Sequence, residues 1–394
     1  MESGGHAPLS NCEGEEFGGL KSNPVVVLLL IRSLAFGGAQ RQLVELARSL
    51  KERGHRVAVG TFYRGGPLLA DLGQAEVPVI DLNKGGRWET LGFLLRLRRV
   101  IKNMRPDVVY SFVGSANIFA ALIHRFVART KLVWSIRASD MDLEHYDWAH
   151  RLAYGIECRL SRVPDLIVSN SQAGMEFAAA HGFPRQRIAI VPNGIDTIRF
   201  DSDSSLREAQ RKVWGISDRE IAVGMLARLD PMKGYSDFLR AATKVVQSRF
   251  DVKFICIGDG REEGRLKQLA AELGISHKVL FVGATNDPVA ALNGLDLFCS
   301  ASVWGEGFSN AIAEAMACRL RCVVTDVGDS PIIVGDCGIT VPRSSPELLA
   351  DAIVRQLTTL DDGEFSKGRE RVVEKFSVAA MVARTVALFQ QLLT

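Results

Sequence analysis

Four charged side chains stand out by type and spacing. Arg228 and Lys233 lie five residues apart on either side of Pro231, and Glu306 and Glu314 lie eight apart within FCSASVWGEGFSNAIAEAMAC (298–318). Two cations on a loop leaving a strand suit a diphosphate, with Arg gripping two oxygens and Lys acting as a point charge. Taken alone they read first as a solvated basic loop. Ser309 is placed to cap a helix behind Glu306. The first N–H groups of that helix, around 309–311, would then face an anion. A carboxylate accepts two hydrogen bonds and so suits a pair of sugar hydroxyls. The small and apolar neighbours FSNAIA and AMA argue against a solvated face for this loop and helix.

Other candidates are weaker. Gly37 and Gly38 end the first apolar run in RSLAFGGAQRQ, where paired glycines let a backbone approach phosphate or simply form a tight turn. Neither this segment nor IGDGREEG (257–264) has the spacing of a dinucleotide fingerprint. Asp140-Met141-Asp142 and Asp201-Ser202-Asp203 pair carboxylates that could bridge a divalent ion to a diphosphate. The pattern is short, and the second copy lies in a Ser-rich stretch. The seven histidines show no metal-ligand spacing, and no Gly-x-Ser-x-Gly elbow is present.

The elements that must position these residues follow from hydrophobic pattern. Apolar runs at 25–31, 56–62, 77–82, 107–112, 131–136 and 165–170 alternate with amphipathic stretches such as 39–54 and 89–104. The alternation resumes at 220–226, 251–258, 278–283, 295–301, 321–326 and 338–342. Strands alternating with helices predict βαβ units and parallel, doubly wound sheets. Between the two series, Pro192-Asn193-Gly194 and the polar DSDSS (201–205) read as a turn and an inter-domain linker. The last ~30 residues read as helical, with a weak terminator near Asp361–Gly363. Ligands of such sheets bind beyond the carboxyl ends of the strands, so two facing units imply a cleft between them.

A chain of 394 residues with 47% hydrophobic content is long enough for two domains and excludes a mainly disordered or fibrous protein. Its net charge of +3 is unevenly spread. Residues 1–20 carry −4, residues 21–196 carry 24 bases and 15 acids (+9), and residues 197–394 carry 24 and 26 (−2). The asymmetry suggests two units with different partners. Five bases, Arg96, Arg98, Arg99, Lys102 and Arg105, fall within the helical stretch 89–104 and its end. They form either a solvated face or a docking surface for anionic lipid. Nucleic acid is not expected, because no aromatic residue interleaves them. Seven scattered cysteines without a C-x-x-C pair read as reduced thiols. The longest apolar run, Val25–Ile31, is far short of the ~20 residues of a spanning helix. The acidic, Gly-rich residues 1–22 read as a disordered leader rather than a secretory signal. A cytoplasmic protein, at most peripheral at the inner membrane face, is the expectation.

Taken together, GGAQR, VPNGID, ARLDPMKG, IGDG and EGFSNAIAE, in this order along almost the whole chain, resemble the landmarks of glycosyltransferase family 4. The resemblance implies the GT-B fold: two Rossmann-like doubly wound domains facing a central cleft. It implies a leader (1–22), an acceptor domain (23–195), a nucleotide-sugar donor domain (196–375) and a final helix (376–394) crossing back to the first domain. It also implies retaining transfer from a nucleotide-diphosphate sugar, UDP-linked in preference, without a metal or other cofactor. The acceptor would be a lipid-linked saccharide in polysaccharide or glycoconjugate synthesis.

Carried over by motif, Arg228 and Lys233 would bind the donor diphosphate with Gly37 and Gly38. Glu306 would be catalytic beside the transferred sugar, and Glu314 would hold the ribose. Gly307, Phe308, Ser309 and Asn310 would offer backbone contacts to the donor sugar. Many members carry a His after the fifth strand of the first domain. Here WSIRASDMD places Arg137 there, which can bind a sugar, acceptor or phosphate oxygen but cannot shuttle a proton. The alternatives are a nucleotide-sugar epimerase on the same fold and a non-catalytic sugar-nucleotide binding protein.

Overall fold

The computed structural model describes residues 23–86, 89–127, 129–137, 148–248, 251–358 and 364–394. The first series of apolar runs forms one sheet: β1 (Val26–Ile31), β2 (Arg56–Thr61), β3 (Val79–Asp81), β4 (Val108–Phe112), β5 (Lys131–Ile136), β6 (Leu166–Ser169) and β7 (Ile188–Ile190). Its order is β3-β2-β1-β4-β5-β6-β7, and every pairing is parallel. The second series gives β8 (Ile221–Leu226), β9 (Val252–Ile257), β10 (Val279–Gly283), β11 (Leu297–Ser300), β12 (Arg321–Thr325) and β13 (Gly338–Val341). They lie in the order β10-β9-β8-β11-β12-β13, again parallel throughout. These are two Rossmann-like α/β domains. The strands are continuous apolar runs because helices cover both faces; Val27–Ile31 of β1 are at most 1% exposed.

Two local expectations need correction. β7 was not among the expected strands: Ile188–Ile190 is three residues long and only Ile188 of it is buried. DSDSS is not a free linker: the Asp203 carboxylate accepts hydrogen bonds from Ser205 and Leu206 N–H and so caps the helix Ser204–Trp214. The backbone of Asp203 is tied to Asn293 as well, at 2.7 Å. Asp201 pairs with Arg369 at 3.0 Å and Arg319 at 3.4 Å. The second D-x-D pattern is thus spent on capping and ion pairs, while the first, 140–142, lies outside the described residues, as do the leader 1–22 and the terminator 361–363.

The chain passes between the sheets near residues 193–196 and returns at 376–378, where the two strands touch. Ile195 N–H donates to Phe376 O (2.8 Å) and Val378 N–H to Ile195 O (3.0 Å). Buried Gln42, on the helix Gly38–Glu52, clamps this crossing by exchanging hydrogen bonds of 2.8 and 2.7 Å with the peptide of Gly194. The helical end divides at Ser377, whose hydroxyl caps the helix Val378–Leu393. That helix packs on Gly38–Glu52, with Phe389 edge-on to Tyr110 at 5.8 Å.

Winding reverses between β1 and β4 in one sheet and between β8 and β11 in the other. Helices leaving those neighbouring strands go to opposite faces, which opens a crevice at their carboxyl ends. The two crevices face each other.

Candidate active site

The shared cavity has a volume of about 670 Å³. Its walls are the loops that the winding dictates: Phe36–Gly38 after β1, Val113 after β4, Arg228 after β8 and Ser300–Ser302 around the end of β11. Arg137, Lys233, Glu306, Phe308, Ser309 and Asn310 also line it. Glu314 lies on the same helix as Asn310 and meets Arg41, itself a wall residue.

Two helices start at this cavity from opposite domains, Gly38–Glu52 and Asn310–Ala317. A Cβ on Gly38 would lie 3.6 Å from Asn310 Nδ2, so the two N-termini nearly touch. Their free N–H groups and dipoles converge on one point, a place suited to an anion. Ser309 occupies the N-cap position, but its hydroxyl makes no capping bond, contrary to expectation; the backbone there stays open to a ligand. Phe308 turns its ring into the core against Phe376, at 5.2 Å, so only its backbone is available.

The charged residues fall into distinct states. Lys233 Nζ is ion-paired with Glu306, and both are largely buried. Arg41 reaches across the cleft to Glu314 at 3.7 Å. Burial pushes the Glu314 carboxyl above the ordinary range, and Arg41 and Arg199 oppose that rise. The two glutamates therefore serve separate cations. The Arg228 guanidinium makes no hydrogen bond or ion pair among the described residues.

Among the described residues Arg137 has only neutral hydrogen-bond partners: Nε donates to Ser135 Oγ at 2.7 Å and Nη1 donates to Asn193 Oδ1. The guanidinium stands 4.8 Å from the Phe112 ring centre. Desolvation lowers its pKa.

The loops that carry these groups are locked by backbone shape. Gly234, at φ 69°, follows Lys233; a Cβ there would meet Ala301 O at 1.8 Å, so this turn is pressed against the end of β11. Gly328, at φ 60°, packs on the Glu306 peptide, where a Cβ would sit 2.1 Å from Glu306 O. Val113 holds φ 58°, a strained conformation for a β-branched residue and one that clusters at functional sites.

Sequence reasoning missed several wall residues. Asn170 is 4% exposed, donates from Nδ2 to Asn193 Oδ1 at 3.4 Å, and leaves its own Oδ1 without a partner. Asn193 in turn donates to Asn310 Oδ1 at 2.7 Å, joining the domains. Phe36 stands 74% exposed at the lip, and Asp329 bridges the domains beside Gly307. Position at a strand end was the one available signal, visible for Asn170 in DLIVSN and for Phe36 in RSLAFGG. The three-dimensional partners were not visible.

Among the described residues no three His, Cys, Asp or Glu side chains gather as a metal-binding group, and no helix is long and apolar enough to cross a membrane.

Comparison with known proteins agrees with this geometry. The chain is 25% identical over 309 residues to N-acetylgalactosamine-N,N'-diacetylbacillosaminyl-diphospho-undecaprenol 4-alpha-N-acetylgalactosaminyltransferase of Campylobacter jejuni, covering 76% of this chain and 80% of that protein. It is 24% identical over 373 residues to N-acetyl-alpha-D-glucosaminyl L-malate synthase of Bacillus anthracis, covering 91% and 94%. The crystal structure of Anabaena Alr3699/HepE in complex with UDP superposes with a TM-score of 0.81 at 23% identity, covering 93% and 100%. Residues 36–199 match the model described as Glycosyltransferase Family 4, and residues 220–359 match Glycosyl transferases group 1. With both halves of the cleft matched in order, the chain belongs to glycosyltransferase family 4 and is a glycosyltransferase of GT-B fold.

Proposed function

We propose that the cleft transfers a sugar from a nucleotide-diphosphate donor, UDP-linked in preference, to a hydroxyl of a lipid-linked saccharide, with retention of anomeric configuration. The observation that carries this reading is the convergence of two helix N-termini with Arg228 and Lys233 at one cavity. When the glycosidic bond to phosphate breaks, negative charge grows on the departing diphosphate. Fixed N–H groups and cations stabilise that charge without reorganising. In this reading the protein itself meets the diphosphate charge, so no metal ion is assigned to it. In the same reading Glu306, held against Lys233, lies beside the transferred sugar, and Glu314 accepts the ribose hydroxyls. Retention corresponds to attack by the acceptor on the face that the nucleotide leaves.

The relatives support the substrate classes. The Anabaena neighbour was solved with UDP, and the Campylobacter relative is named for a diphospho-undecaprenol acceptor. A peripheral site on an anionic, cytoplasmic membrane face fits the helix Leu91–Met104. Arg99, Lys102 and Arg105 are exposed there beside Leu91 and Leu95, which are 71% and 57% exposed. Arg96 is instead tied to Leu82 O, Asn83 O and Glu89, and Arg98 is half-buried, so three of the five bases are available. Each is worth about 1 kcal/mol near such a surface.

A panel of radiolabelled nucleotide sugars incubated with the protein and membrane extract tests the reading. Label passing into the lipid fraction is expected. Isomerised donor without transfer, or binding without turnover, would overturn it. Loss of activity in EDTA with recovery in Mn2+ would overturn the metal-free part. Flotation with liposomes that is indifferent to anionic lipid would overturn the membrane part.

A further inference from the structure

We infer that Arg137 and Asn170 form a subsite for a negatively charged group on a substrate, distinct from the donor diphosphate. The inference rests on the reading of the cleft as a glycosyl-transfer site.

Among the described residues, the groups that hold the guanidinium of Arg137 carry no charge. Ser135 Oγ accepts a hydrogen bond from Nε, Asn193 Oδ1 accepts one from Nη1, and Phe112 covers one face. A guanidinium has five N–H donors. Two are engaged by these acceptors, and the side chain lines the cavity with donors to spare. The other cations here differ. Lys233 is paired with Glu306 and Arg41 with Glu314, and Arg228 belongs to the opposite domain, on the loop after β8. Among the described residues, then, the half-buried Arg137 charge meets no carboxylate, and a ligand anion would answer it.

Beside it lies the complementary defect. Asn170 is 4% exposed and lines the same cavity, and its Oδ1 is an acceptor with no donor. Asn193 Oδ1 accepts from both Arg137 and Asn170 Nδ2, which fixes the two side chains relative to each other. A carboxylate or phosphate on Arg137 with a neighbouring hydroxyl on Asn170 would satisfy both. Such a pairing occurs in a uronic-acid donor sugar and in an acceptor whose hydroxyl adjoins a carboxylate or phosphate. Because the guanidinium is already immobilised, little ordering entropy is lost on binding, and the contact favours discrimination.

Calorimetric titration of the full-length protein separates the two sources. In the donor arm, UDP-glucuronate is compared with UDP-glucose. In the acceptor arm, UDP-saturated protein is titrated with methyl glucuronoside against methyl glucoside, and with glycerol 3-phosphate against glycerol. At least one anionic probe is expected to bind about 10- to 100-fold more tightly than its neutral partner, the range of a charge-assisted bidentate contact. Arg137→Met should erase that preference, and Arg137→Lys should keep part of it. Preference in the first arm assigns the anion to the donor sugar, and preference in the second assigns it to the acceptor.

The absence of preference in both arms overturns the subsite, and so does a preference that survives Arg137→Met. A loss of UDP affinity as large as the loss of preference would place Arg137 on the diphosphate and also overturn it. Wild-type protein that binds neither UDP nor any other nucleoside diphosphate would instead overturn the glycosyl-transfer reading itself.

Discussion

The carboxylate of Asp329, in the second domain, caps a helix of the first: its Oδ2 accepts from Gln172 N–H at 2.7 Å and its Oδ1 from Ala173 N–H at 2.9 Å. The same residue donates its own N–H to Gly307 O at 3.0 Å. Ser171 Oγ takes the next free N–H of that helix, Gly174, so the orphan donors are satisfied jointly by the two domains. Asp329 thus ties the Glu306–Gly307 loop to the facing domain, and opening the cleft would leave two N–H groups without acceptors.

Replacing Asp329 by Asn exchanges two acceptor oxygens for one and turns an amide donor toward N–H groups. Charge-assisted bonds of this kind are worth about 1.5–3 kcal/mol each. Asp329→Asn is expected to lower turnover about tenfold or more while nucleoside diphosphate affinity shifts less than about threefold, because the phosphate groups are elsewhere. Steady-state kinetics with parallel UDP titration checks this. Unchanged turnover would show that the domain contact is idle in catalysis.

Glu306→Gln keeps the shape of the loop and removes one charge. Turnover is expected to fall by at least about 100-fold, the scale of a positioned electrostatic group. Lys233, released from its ion pair, becomes free to meet phosphate, so UDP affinity should hold or rise. A parallel loss of affinity and turnover would place Glu306 in ground-state binding instead.

Arg228 and Lys233 are predicted to part company on stability. Arg228→Ala removes a guanidinium with no protein partner among the described residues, so Tm should not fall. UDP should bind about 10- to 100-fold more weakly, whereas uridine should be almost unaffected. Lys233→Ala takes the cation away from the largely buried Glu306 carboxylate, and Tm should drop. Thermal shift with and without UDP, and with uridine, distinguishes the two. Equal losses for UDP and uridine would refute the diphosphate assignment.

The legibility of this site followed the physics of each signal. Strands such as Val26–Ile31 and Ile221–Leu226 were plain in the sequence because burial on both faces demands unbroken apolar runs. Glu306, Glu314, Arg228 and Lys233 were found because charges among small and apolar neighbours are conspicuous, and the cavity brings their loops together. Asn170, Asp329 and Val113 were not found. Their significance lies in a missing partner, a contact across 157 positions of chain, and a backbone angle, none of which has a compositional trace. The capping role of Asp203 was hidden for another reason, since Asp and Ser favour linkers and helix starts alike.

Glu314 gives the site a pH dependence whose sign can be worked out. Burial raises its pKa, so in the free protein the carboxyl takes up a proton at a higher pH than an ordinary glutamate. Ribose hydroxyls donate to the ionised form, so nucleoside binding favours the carboxylate and competes with the proton. Affinity should be flat at high pH. It should begin to fall above the pH at which an ordinary glutamate titrates, and decline tenfold per unit once the free protein is mostly protonated. The same sign governs stability: protonation relieves the cost of a buried charge, so this residue stabilises the free fold as pH falls, in opposition to its effect on binding. Glu314→Gln is neutral at every pH and should remove this residue's share of both slopes. Titrations of UDP and of 2',3'-dideoxy-UDP across acidic pH, with wild type and variant, check the assignment. A slope that persists in the variant, or an equal slope for the dideoxy nucleotide, would remove the ribose from Glu314.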